Sequence, residues 1–236
     1  MTDSTVHVEA YRAALASVRA RIAAACARAG REPAEVTLVA VSKTVPAELL
    51  RDAVTAGLGP FGENRVQEAA AKAPDVPGAR WQLVGPLQSN KARLALQLFE
   101  SIQSIDSVDL GERLDRIATE VRPGGRYPIL LQVNVDDDPA KAGFDPGELA
   151  AAARRLGAAD ALEVRGLMTI GRLAMEPEAA RPTFRRLAAL SRSLRDAGVP
   201  IGSELSMGMT DDFEVAVEEG ATIVRVGRAL FGERHL

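Results

Sequence analysis

The chain has 236 residues, 47% of them hydrophobic and 26% charged, with a formal net charge of −3. That length suits one α/β barrel or two small domains, and the interspersed charges leave no basic face for nucleic acid or an anionic membrane. A lone cysteine, Cys26, excludes an internal disulfide and any multi-cysteine metal site, and no run approaches the ~18 apolar residues needed to span a bilayer.

Arg12, Arg19, Arg21 and Arg28 would interrupt the apolar region of a secretory signal, so a cytoplasmic protein is expected. The same segment, residues 3–30, predicts the first helix. Val8, Tyr11, Leu15, Val18, Ile22, Cys26 and Ala29 recur at spacings of three and four, and Gly30 followed by Pro33 ends the run. This stripe reads as a helix lying over the protein's own core rather than one awaiting a partner.

Beyond it the chain alternates. Short apolar runs predict strands at Val36–Val41, Leu58–Phe61, Trp81–Val84, Ser101–Ile105, Pro128–Val135, Val164–Ile170, Glu204–Met207 and Thr222–Val226. Helices are predicted between them at Ala47–Ala56, Val66–Ala73, Ser89–Phe99, Ser107–Val121, Pro146–Leu156, Glu178–Ala197 and Asp211–Glu219. Pro46, Asn64, Ser89, Asp145–Pro146 and Asp211–Asp212 mark helix starts, and Gly57 and Gly198 mark helix ends. Eight strands alternating with helices, with no linker or shift in composition, predict a single (β/α)₈ TIM-type barrel domain over residues 1–236, with an extra N-terminal helix. An open doubly wound sheet would prefer a glycine-rich turn after its first strand. Here that strand runs into Ser42-Lys43-Thr44-Val45-Pro46.

Lys43 is one of four lysines, with Lys72, Lys91 and Lys141, in a chain that otherwise uses arginine for its cations. It closes the run Val36–Ser42 on the same face as Val39 and Val41, at the strand end where barrel active sites are built. Desolvation lowers a lysine pKa, and the neutral amine is the form that attacks aldehydes, so the position suits a Schiff base. The competing reading is a lysine that reaches solvent or pairs with Glu63.

The last two strands supply a matching half. Leu205–Asp212 breaks at Gly208 and enters a helix, and Ile223–Gly232 turns at Gly227. The loops after strands seven and eight commonly cradle phosphate in such barrels; Gly227 admits an anion to the backbone, and Ser206 and Thr210 could add hydroxyls. Arg225 shares parity with Ile223 and Gly227, which points it inward, where it could face a pyridine nitrogen. An ion pair with Glu204 or Glu233 is the plainer alternative. His7 and His235, the only histidines, lie near the chain ends, so histidine triads and metal sites are poor candidates and no metal is expected.

Six ordered segments then resemble one family: Val39–Pro46, Phe61–Glu68, Gly85–Lys91, Gly166–Ile170, Leu205–Asp212 and Val224–Gly232. The resemblance, from about Tyr11 to Arg234, is to the pyridoxal phosphate homeostasis proteins, which are similar to the barrel domain of alanine racemase. It implies pyridoxal 5′-phosphate on Lys43, a phosphate held by Ser206 and by the backbone of Gly227 and Arg228, Arg225 at the pyridine nitrogen, and Asn64 lining the pocket. The chain departs from the family pattern at Arg65, Gln82 and Pro86.

The resemblance implies a carrier that binds the cofactor reversibly, contributes to intracellular vitamin B6 homeostasis and passes the cofactor to apo-enzymes. An amino-acid racemase is the alternative, but it needs a second base across the cofactor. Only Tyr11 and Tyr127 are available, and the chain lacks the length of a racemase's second domain, which also leads to the expectation of a monomer. A colourless class I aldolase is a third reading.

Overall fold

The computed structural model describes residues 3–171 and 176–232. Eight parallel strands close into a barrel in sequence order, with the first paired to the last. They are β1 Thr37–Val41, β2 Phe61–Glu63, β3 Trp81–Leu83, β4 Ser101–Ile105, β5 Tyr127–Gln132, β6 Leu162–Met168, β7 Glu204–Ser206 and β8 Ile223–Val226. The intervening helices are α2 Ala47–Thr55, α3 Val66–Lys72, α4 Ala92–Leu98, α5 Val108–Val121, α6 Leu149–Gly157, α7 Arg181–Asp196 and α8 Phe213–Glu218, with a short α9 Arg228–Phe231 after β8.

Alternation along the strands sorts side chains into two cores. Ala40, Leu131, Leu167 and Val224 belong to the large outer core under the helices. Their neighbours Val39, Leu130, Met168 and Ile223 join Val84 in a small cluster inside the barrel. The inward face also carries polar side chains: Gln82, Gln103, Ser206 and Arg225 are all buried.

The N-terminal helix α1, Asp3–Arg28, lies across α2, α8 and α9 and buries Val8, Tyr11, Leu15, Val18, Ile22 and Cys26. Its stripe therefore covers the protein's own core, and Arg21–Glu214 and Arg28–Glu218 ion pairs tie it to α8. Gly30, at φ 63°, lets Arg31 N–H reach back to Cys26 O at 2.9 Å, which ends the helix and satisfies a terminal carbonyl.

Several boundaries move. β6 runs Leu162–Met168 rather than Val164–Ile170. α4 starts at Ala92 rather than Ser89, and α7 at Arg181 rather than Glu178, because a 3₁₀ turn precedes each. Three more have a local cause. β2 begins at Phe61 rather than Leu58, because Pro60 has no N–H to give the ladder. β5 ends at Gln132 rather than Val135, because the side chain of Asn134 turns the chain by bonding both N–H and C=O of Asp138. Finally, α6 starts at Leu149 rather than Pro146, because Asp145 caps Gly147 N–H in a preceding turn.

Candidate functional site at the C-terminal end of the barrel

Closure of the barrel brings together segments far apart in sequence. β1 pairs with β2 on one side, with Val41 opposite Gly62, and with β8 on the other, with Ala40 opposite Val226. Lys43, just past β1, therefore stands between Asn64, one residue past β2, and the Gly227 turn after β8. Lys43 and Asn64 are both half-buried. A Cβ on Gly227 would lie 3.3 Å from Val41 O, so this turn hugs the end of β1.

The turn carrying Lys43 is tightly held. Thr44 has φ 66°, a left-handed conformation that a β-branched residue adopts only under constraint. The constraint is Lys72 on α3. Its Nζ donates to Ser42 O at 2.9 Å, Glu63 Oε1 at 2.9 Å and Glu68 Oε1 at 2.7 Å. Glu68 Oε1 also accepts Thr44 N–H at 2.5 Å, and Ser42 Oγ donates to Glu63 Oε1 at 2.7 Å. Both residues flanking Lys43 are thus tied to one buried ammonium. All three N–H bonds of Lys72 are taken.

Glu63 is fully buried, and burial raises its pKa against the hydrogen bonds from Lys72 and Ser42. For Glu68 burial pushes upward too, but Lys72 and the Thr44 N–H outweigh it and hold the carboxyl below its ordinary value. Of the other lysines, Lys141 Nζ donates to Ile170 O at 3.1 Å.

Arg225 points inward from β8, as its parity requires, and is 5% exposed. Nη1 donates to Ser206 Oγ at 2.6 Å and Nη2 to Thr169 O at 2.8 Å, so two of its five N–H donors are held by protein. Burial pulls its pKa down to about 10, opposed by the Asp212 carboxylate, and it stays a cation at neutral pH. The plainer alternative is not realised within the described residues: Glu204 lies 3.7 Å from Arg165 instead, and Glu233 falls outside them.

The two hydroxyls of the last strands separate. Ser206 serves Arg225 and donates to Gln103 Oε1 at 2.6 Å, whereas Thr210 Oγ1 accepts the Gly227 N–H at 3.3 Å. Arg228 opens α9 and its side chain pairs with Asp211. The arrangement therefore offers an amine on a rigid turn, a neighbouring turn with no side chain that opens α9, a hydroxyl at that turn, and an inward-facing buried cation two residues earlier on β8. That donor set fits an aldehyde carrying a phosphate and a ring nitrogen.

Comparison with known proteins agrees with this chemistry. The family described as alanine racemase, N-terminal domain, matches residues 14–235. A Pseudomonas aeruginosa protein named pyridoxal phosphate homeostasis protein is 43% identical over 224 residues, covering 93% of this chain and 94% of the relative. The chain belongs to the pyridoxal phosphate homeostasis protein family. PipY of Synechococcus elongatus, solved with PLP bound, is 42% identical, superposes with a TM-score of 0.82 and covers 94% of this chain and 100% of PipY. Clostridium difficile alanine racemase shares the fold alone, at 14% identity and a TM-score of 0.66; the match covers 86% of this chain and 52% of the racemase.

Within this family member, residue-by-residue reading of the sequence missed the Lys72 clamp and Gln103. Glu68 and Lys72 stand four apart on a helix, which is a visible pairing signal. That the pair reaches Ser42 and Thr44 follows only from the tertiary packing. Among the described residues no helix is long and apolar enough to cross a membrane, and no group of metal-ligating side chains is present.

Proposed function

We propose that the protein holds pyridoxal 5′-phosphate as a Schiff base on Lys43 and acts as a carrier of the cofactor in vitamin B6 homeostasis, not as an enzyme. The observation that carries this reading is the Lys43 turn, clamped at the end of β1 directly beside the Gly227 turn after β8. The names of the relatives and the bound PLP of PipY support it.

In this reading the Arg228 N–H and the Thr210 hydroxyl take the phosphate, joined by the Gly227 N–H once it leaves Thr210 Oγ1. Ser206, the residue whose family counterpart would hold phosphate, pairs with Ile223 from β7 and supports Arg225. Arg225 faces the ring nitrogen as a permanent cation and keeps a proton off it. The bound cofactor supplies an electrophilic aldehyde and a conjugated ring, and an unprotonated ring nitrogen makes that ring a weak electron sink. Asn64 lines the side of the pocket next to Lys43. Such a site favours retention over turnover.

Among the described residues, neither tyrosine is placed as the second base that a racemase needs. The Tyr127 hydroxyl is buried at the N-terminal end of β5 and donates to Phe99 O at 2.9 Å, with its pKa raised by burial. Tyr11 packs edge-on against Phe231, 5.7 Å between ring centroids. Purified protein with cofactor is expected to interconvert alanine enantiomers no faster than a Lys43→Ala control. A lysine-dependent rate of about 1 s⁻¹ or more would establish an enzyme instead. Delivery is tested with an apo-enzyme acceptor: its activity should return on mixing with the loaded protein. Light scattering of the purified protein tests whether the carrier is a monomer.

A further inference from the structure

A chain of polar side chains runs down the inside of the barrel from Arg225 to the opposite mouth. Arg225 donates to Ser206 Oγ at 2.6 Å, and Ser206 Oγ donates to Gln103 Oε1 at 2.6 Å. Gln103 Nε2 donates to Gln82 Oε1 at 2.7 Å, and Gln82 Nε2 to Glu100 Oε1 at 2.9 Å. Arg80 closes the chain on Glu100 with bonds of 2.9 and 3.2 Å. Gln103 and Ser206 are 1% and 0% exposed, whereas Arg80 and Glu100 line a cavity of about 390 Å³ at the N-terminal mouth with Arg165 and Glu204.

The two ends dictate the order of every bond between them. A guanidinium only donates and a carboxylate only accepts. Ser206 must therefore accept from Arg225 and send its one proton to Gln103. Each glutamine must turn its carbonyl toward Arg225 and its NH₂ toward Glu100. Reversing one amide would set like against like in a buried place, where an unmade hydrogen bond is costly.

We infer that Gln103, Gln82 and Glu100 are positioning residues for the cofactor: through Ser206 they fix the buried Arg225 guanidinium at the station where it meets the ring nitrogen. The inference rests on the cofactor reading above. It makes the N-terminal mouth, four hydrogen bonds away from Arg225, an influence on the cofactor end. If Gln103 only fills space inside the barrel, leucine of similar volume serves as well.

The test compares wild type, Gln103→Leu and Glu100→Gln, each reconstituted with pyridoxal phosphate. Equilibrium dialysis gives the dissociation constant, and absorbance against pH gives the titration of the visible band. Glu100→Gln is the informative variant, because it touches nothing at the cofactor end and replaces an obligatory acceptor with a group that can also donate. Both variants should bind about five- to tenfold more weakly and shift the midpoint of the band's pH profile. If wild type carries the cofactor on Lys43 and both variants match it in affinity and pH profile, the inference falls alone. A wild-type protein that takes up no cofactor removes the cofactor reading and this inference with it. Should Gln103→Leu fail to fold, Glu100→Gln decides by the same criteria.

Discussion

Two lysines meet at one turn, and their surroundings assign them opposite tasks. Lys72 is surrounded by Ser42 O, Glu63 and Glu68, so its amine is fully engaged as a clamp. Lys43 sits on the strained turn that the clamp holds. Replacing Lys72 by methionine leaves the Glu63 carboxylate buried beside a single hydroxyl, and removing one partner of a buried ion pair typically costs about 3–5 kcal/mol. Denaturant unfolding of Lys72→Met should show a loss of that order, with weaker cofactor retention. The clamp also sets a pH dependence. The Glu68 pKa is depressed in the folded protein, so its contribution is present above the ordinary carboxylate value and lost as pH falls through the folded one. Acid below the usual carboxylate range should therefore loosen cofactor retention in wild type, and Glu68→Gln should flatten that dependence. At the far side of the pocket, Arg225→Gln removes a charged donor and should weaken retention by about ten- to a hundredfold in equilibrium dialysis.

At the scale of elements, the barrel's alternation was legible because buried parallel strands read as apolar runs; of the helices between them only α5 carries a side-chain cap, with Ser107 accepting the Leu110 N–H. Three of the boundaries that moved are decided by single polar or proline side chains, at Pro60, Asn134 and Asp145, and the starts of α4 and α7 by 3₁₀ turns that carry the same residue pattern as a helix. The Gly227 turn was legible as a glycine turn after the last strand, and its approach to β1 followed once the barrel was assumed. Gly227→Ala would set a methyl 3.3 Å from Val41 O, a crowding that a few tenths of an ångström of movement relieves. Its thermal unfolding should stay near wild type while its affinity for pyridoxal phosphate falls. The inward polar chain was illegible for a different reason. Gln82, Gln103, Ser206 and Arg225 are single polar residues on four different strands, and nothing local links them. Arg225 was read at inward parity and Ser206 as a hydroxyl of the last strands, whereas Gln82 and Gln103 could have been flagged in the same way as polar residues at inward parity.

For the whole molecule, closure of eight strands is what turns scattered residues into a site. The first strand brings Lys43, the last brings the Gly227 turn and Arg225, and the pairing of β1 with β8 makes them neighbours. Separating a carrier from an enzyme depends on what faces the cofactor, and both tyrosines are committed elsewhere in the structure. Covalent attachment at Lys43 is the central claim for the molecule. Borohydride reduction of protein loaded with pyridoxal phosphate, followed by peptide mapping, tests it most directly. One adduct on the peptide containing Lys43, absent together with the visible band in Lys43→Ala, is the predicted result. An adduct on Lys72, Lys91 or Lys141, or no adduct from fully loaded protein, would contradict it.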